Sequence, residues 1–278
     1  LQIEADARGW KIGDVIRMTD RDGYDNQPYF LPAGDAVLYT SIRDGQADIY
    51  RYDLTDGATT RLTATEESEY SPTPLPDGSG FSTVRVEADG TQRLWAFDLN
   101  GENPRLLLED VAPVGYHAWL DPTTLALFVL GDPATLQIAQ LESGTATVRD
   151  SDIGRSLHLS PQGGGVTYVR KGGADGWTIG DLALEGGDVR TLVPTLPEQE
   201  DFLWTPAGQL LMGHGSKLFL AAPGGTGWQE AADLSGRAIH DISRLALSPD
   251  GKRLVVVGTR PDTSPLPART ALVLIRQP

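Results

Sequence analysis

Short apolar or β-branched runs recur along the chain, each entered through a turn of Pro, Asp or Gly. Ala36-Val37-Leu38-Tyr39 follows Leu31-Pro32-Ala33-Gly34-Asp35, and Phe81-Ser82-Thr83-Val84 follows Leu75-Pro76-Asp77-Gly78-Ser79. Leu254-Val255-Val256-Val257 follows Ser248-Pro249-Asp250-Gly251-Lys252. Proline presets φ at the second turn position, Asp binds its own backbone and Gly takes φ > 0, so each turn joins two strands as a hairpin. Further turns at Arg43-Asp44-Gly45 and Ala88-Asp89-Gly90 lead into alternating runs over 48–54 and 94–99. Thr55-Asp56-Gly57 and Asn100-Gly101-Glu102 then introduce a fourth strand. The pattern predicts four-stranded antiparallel meanders.

The turn returns six times, anchored at Pro32, Pro76, Pro122, Pro161, Pro206 and Pro249, with intervals of 44, 46, 39, 45 and 43 residues. A period of about 40–50 residues with four strands per repeat marks propeller blades. The expected fold is all-β, a single six-bladed β-propeller domain over 1–278. Its blades are placed at 20–63, 64–110, 111–151, 152–195, 196–236 and 237–278. Thr19 stands nine residues before Pro28, as Thr63 stands nine before Pro72. Residues 14–19 therefore read as a fourth strand without its first three, and the last repeat lacks a fourth. The N-terminal strand is expected to complete the last blade and cover two sheet edges.

Pro28, Pro32, Gly34, Arg43-Asp44-Gly45, Ile49-Tyr50 and Arg61-Leu62-Thr63 carry a closer likeness. In these residues and their spacing the first blade resembles the TolB-like family of six-bladed propellers with PD40 or WD40-like repeats. Blades one, two and six match well, and three and five are degenerate. The repeats use the whole 278 residues, leaving none for the α/β domain that precedes the propeller in TolB. The resemblance implies a peptide or protein partner. It also implies a periplasmic or secreted location, which a first residue of Leu, read as a trimmed N-terminus, accompanies.

Composition narrows the chemistry. With no cysteine there is no disulfide, thiol nucleophile or thiolate metal site. No apolar run reaches the length of a membrane span, so membrane insertion is not expected. Thirty-eight acidic against 23 basic residues give a net charge of −15, which would repel nucleic acid. A monomer is expected. No Gly-x-Ser-x-Gly elbow supports a serine hydrolase. No cofactor is expected; the one motif with calcium-like carboxylate spacing, Asp20-Arg21-Asp22-Gly23-Tyr24-Asp25, lacks the closing bidentate Glu.

Propellers bind ligands where their innermost strands converge. Alternate residues of each first strand should face that axis. Five before the anchors stand Gln27, Ser71, His117, Ser156, Asp201 and Arg244; three before stand Tyr29, Thr73, Trp119, His158, Leu203 and Ala246. The candidate ligand-binding residues are Gln27, Tyr29, Ser71, His117, Trp119, His158, Asp201 and Arg244. Arg244 would fork onto an acid group, while Trp119 or Tyr29 would stack on a sugar or side chain. The plainer alternative is that these residues line a watery channel and pair with one another, Asp201 with Arg244 first. Residues two before the anchors, Phe30, Pro74, Leu120, Leu159, Trp204 and Leu247, read as core.

Three function classes follow: a non-catalytic propeller that docks a peptide, protein or small polar ligand, a carbohydrate-active lyase or glycosidase, and a structural module of a larger envelope or sensor complex. Against the enzyme stands the single inner carboxylate, Asp201, where glycoside hydrolysis uses two. Asp25 and Glu69, seven before their anchors, are the further candidates.

Overall fold

A computed structural model describes residues 12–173, 176–259 and 270–276. It contains β1 (Val15–Arg17) and then six meanders. The first is β2 (Asp25–Phe30), β3 (Ala36–Arg43), β4 (Gln46–Asp53) and β5 (Thr59–Arg61). The second is β6 (Ser68–Pro74), β7 (Gly80–Val86), β8 (Gln92–Asp98) and β9 (Arg105–Leu106). The third is β10 (Val114–Trp119), β11 (Thr124–Val129), β12 (Thr135–Gln140) and β13 (Thr145–Ser151). The fourth is β14 (Ile153–Leu159), β15 (Gly165–Arg170), β16 (Thr178–Ala183) and β17 (Arg190–Pro194). The fifth is β18 (Phe202–Trp204), β19 (Leu210–His214), β20 (Lys217–Ala221) and β21 (Gln229–Asp233). The last is β22 (His240–Leu247), β23 (Arg253–Thr259) and β24 (Thr270–Arg276).

Each meander is an antiparallel sheet in chain order, and the last has the order β1-β24-β23-β22. The N-terminal strand therefore completes the last blade, pairing Val15 with Ile275, Ile16 with Leu274 and Arg17 with Val273. The fold is a six-bladed β-propeller.

The sheets gather into two compact units. One comprises the first, fifth and last blades, the other the second, third and fourth. In each unit the cores lie between adjacent sheets. Leu203, Leu211, Leu245 and Val256 pack together in the first unit, and Leu136, Leu157, Val166 and Tyr168 in the second. Packing between blades is tight enough that a Cβ on Gly213 would stand 2.3 Å from Ile242 Cγ2. The first strands are neighbours: β2 and β18 lie against β22, and β6 and β14 against β10.

The hairpin turns form as their sequences dictate. Gly34 at φ 70° donates its N–H to the Leu31 carbonyl, and Leu31 N–H reaches Ala36. The third blade differs. There Leu120 N–H reaches Thr124, one residue sooner, and Asp121 receives the Thr123 and Thr124 N–H groups at 2.8 Å. Asp121, not Pro122, takes the turn position that Pro32 holds in the first blade, so counting back from Pro122 is one residue out. His117 stands where Pro28 stands in the first blade, and Trp119 where Phe30 stands.

The expected core positions divide accordingly. Phe30, Pro74 and Leu120 are buried, while Trp204 and Leu247 are partly so. Leu159 is instead 43% exposed: it shares a face with Leu157 but is the last residue of β14, outside the cluster in which Leu157 and Tyr168 are buried.

Candidate functional site

Bulges shape the first strands. Gln27 and Ser71 have φ of 57° and 55°, and the ladders of β2 and β6 shift there. A left-handed non-glycine residue costs about 1–2 kcal/mol, and a bulge re-aims the side chains around it. Gln27 and Ser71 are themselves buried. The Gln27 N–H is taken by Asn26 Oδ1 at 2.7 Å. Two residues on, Tyr29 leaves 48% of its surface open. Enough protein surrounds its ring to push the hydroxyl pKa above the ordinary value, through lost solvation.

In the same unit Asp201 and Arg244 meet as the alternation predicts. Arg244 Nη1 stands 3.6 Å from Asp201 Oδ2, and both side chains are largely buried. Asp201 Oδ1 also accepts the Leu245 N–H at 2.9 Å. Part of this carboxylate is thus spent on joining β22 to the residue preceding β18. Asp25 is likewise engaged: fully buried, it receives the Ser41 hydroxyl at 2.6 Å and Arg21 Nη2 at 3.1 Å.

In the second unit His117 and Trp119 converge on Ser82 of β7. Trp119 Nε1 donates to Ser82 Oγ at 3.0 Å, and His117 Nε2 lies 2.6 Å from the same oxygen. Ser82 O–H donates to the Thr73 carbonyl at 3.2 Å, so the consistent tautomer has His117 donating from Nε2. The bare lone pair is then on Nδ1, which has no hydrogen-bond partner among the described residues. His117 is 8% exposed, and burial lowers its pKa from 6.5 to about 3. His158 is half-buried beside Ser156, with Nε2 and Oγ 3.1 Å apart. Glu69 is buried, receiving the Thr65 hydroxyl at 2.5 Å with Arg85 Nε at 3.3 Å.

The structure thus joins Asp201 with Arg244, and His117 with Trp119. Gln27 and Ser71 are folded into bulges, whereas Tyr29 and His158 stay accessible. Sequence reasoning missed Ser82, which the Thr73–Ser82 pairing sets beside the first strand. Its only signal was that ladder register.

No protein-family model matches the sequence. Several solved structures do match in fold. TolB from Acinetobacter baumannii is 15% identical with a TM-score of 0.58, over 92% of this chain and 55% of that one. The chain thus spans little more than half of that TolB. A gluconolactonase from Xanthomonas campestris is 11% identical with a TM-score of 0.71, over 95% of this chain and 89% of that one. An oligogalacturonate lyase from Vibrio parahaemolyticus is 14% identical with a TM-score of 0.59, over 99% and 96%. At 11–15% identity these likenesses are of fold alone.

Proposed function

We propose that the protein is a non-catalytic binding propeller that takes a peptide or protein partner, or a small polar ligand, on the first strands of its blades. The observation that carries this reading is the division between engaged and open side chains. The groups suited to proton transfer are tied to the frame: Asp201 through both oxygens to Leu245 and Arg244, Asp25 through Oδ1 to Ser41 and Arg21, and Glu69 through Oε1 to Thr65 and Arg85. His117 is buried and neutral. A general base must reach the proton it takes, which these bonds impede. Tyr29 by contrast is open, and an accessible tyrosine on a rigid strand is a binding anchor. A periplasmic or secreted setting suits this role; among the described residues no helix is long and apolar enough to cross a membrane.

A second reading, a carbohydrate-active enzyme, draws on the lyase and gluconolactonase that share the fold. It requires one of the committed carboxylates to exchange its partners when substrate binds.

Thermal shift against basic and acidic peptides, uronic acids and neutral sugars separates the two, with Tyr29→Ala and Arg244→Ala alongside. A ligand that stabilises the parent, fails on the variants and is recovered unchanged supports binding. Turnover of any saccharide favours the enzyme. Stabilisation untouched by both substitutions sinks the first-strand site.

A further inference from the structure

The outer edges of the blades are not alike. β1 and β5 have three residues and β9 has two; β17 has five and ends in Pro194, and β21 has five with Glu230 and Asp233. Short length, proline and charge are the means by which natural sheets keep an edge from pairing with another chain. β13 has none of these over its first four residues, Thr145-Ala146-Thr147-Val148, and with seven residues it is the longest outer strand described. It is the terminal strand of its sheet, paired with β12 alone. Val148 is 56% exposed.

The far end of that strand is tied to the fourth blade. Arg149 is the extra residue where the β12 ladder shifts, and its guanidinium donates to the Leu184 and Ala183 carbonyls at 3.1 and 3.2 Å. Asp150 receives the Tyr168 hydroxyl at 2.5 Å and Arg170 Nε at 2.7 Å. Beside it lies a cleft of about 540 Å³, lined by Glu109, Asp110, Gln137, Thr145 and Ala146 among others. Val148 pairs with Gln137 and Ala146 with Ala139, so Val148 and Ala146 share the face of the sheet that borders the cleft. Glu109 and Asp110 are exposed, yet the buried Leu108 and Val111 anchor their loop, and Arg93 donates to the Glu109 carbonyl at 2.9 Å.

We propose that β13 is a strand-addition site that takes an extended basic segment of a partner protein, pairing with Thr145–Val148 and setting alternate lysine or arginine side chains over Glu109 and Asp110. Strand addition draws affinity from main-chain bonds and specificity from pockets for alternate side chains. The acidic rim selects a cationic strand, and the net charge of −15 steers it inward while opposing a second copy of the chain. The site is separate from the first strands and does not rest on the function proposed for them.

The probe is a labelled peptide of alternating valine and lysine, about eight residues long to cover a typical strand. Its binding is read by fluorescence anisotropy, with hydrogen exchange reporting on the protein's amides. Binding should slow exchange at Thr145–Val148 and weaken with salt. The surface variant Glu109→Lys/Asp110→Lys should weaken it by about tenfold and flatten the salt dependence. Val148→Lys should also weaken it, and Tyr29→Ala should not; melting curves confirm that each variant is folded. A peptide N-methylated at alternate residues should not bind. The proposal is overturned if the plain peptide does not bind, if the N-methylated one binds equally, or if both charge variants bind as the parent does. Self-association of the parent that Val148→Lys abolishes also overturns it, in favour of pairing between copies.

Discussion

Asp201 Oδ1 accepts the backbone N–H of Leu245 at 2.9 Å, forming a hydrogen bond between residues 44 apart in sequence. The other oxygen faces Arg244 Nη1 at 3.6 Å. Removing the side chain strands a buried N–H and takes the counter-charge from a mostly buried guanidinium. Asp201→Ala should therefore cost about 3 kcal/mol. Asp201→Asn keeps an acceptor for Leu245 and loses only the charge, so it should cost about half as much. Urea denaturation measures both, with the m-value unchanged. Equal losses from Ala and Asn would show that the Leu245 bond contributes nothing.

His117 makes stability depend on pH in a defined direction. Burial lowers its pKa from 6.5 to about 3, so the native state refuses a proton that the unfolded chain accepts. Its contribution is fully present above pH 6.5 and is lost as pH falls from there toward 3, at up to about 1.4 kcal/mol per pH unit. His117→Gln keeps a donor near Ser82 but cannot titrate. The slope of unfolding free energy between pH 6 and 4 should therefore be shallower in the variant than in the parent. Parallel slopes would mean that His117 charges within the fold, and a two-dimensional NMR titration of its ring nitrogens would show it directly.

Much of the fold was legible because its punctuation is chemical. Pro32 and Gly34, Pro76 and Gly78, and Pro249 and Gly251 occupy positions that need fixed φ or φ > 0, so the blades could be counted and the orphan strand at Arg17-Met18-Thr19 assigned to the last one. The candidate site was less legible. Asp201 and Arg244 were found by simple alternation. His117 and Trp119 were miscounted by one, because their blade has lost a turn residue and its glycine, leaving Pro122 one place late. The bulges at Gln27 and Ser71 have no sequence mark, since left-handed glutamine and serine look like any other. The role of Ser82 lies in a cross-strand register that one strand's pattern does not contain.

The fourth blade tests the register around its own bulge, where the β14 ladder shifts between Ile153 and Leu157. Alternation puts Leu157 and Leu159 on one face, yet the structure buries Leu157 and leaves Leu159, at the end of the strand, 43% exposed. Leu157→Ala should cost about 2–4 kcal/mol, and Leu159→Ser no more than about 0.5 kcal/mol. Chemical denaturation of the two variants decides the matter. A reversal of that order would mean that the cluster closes around Leu159 and not around Leu157.

The closing strand should matter out of proportion to its three residues, because its side chains reach two cores. Val15 packs against the cluster containing Leu203, Leu245 and Val273, while Ile16 and Met18 face the cluster containing Val37, Val255 and Leu274. The backbone adds Met18 N–H to the Leu272 carbonyl at 2.9 Å, and Leu272 N–H reaches Thr19 Oγ1 at 3.1 Å. Met18 is buried, so Met18→Ala should cost about 2–4 kcal/mol. Deleting residues 1–19 removes all of these contacts and exposes the β24 edge, and should lower the melting temperature far more than Met18→Ala does. A synthetic peptide of residues 12–19 should restore part of the loss, since the vacated edge and both grooves remain to receive it. A deletion variant as stable as the parent would mean that the last blade holds together with three strands.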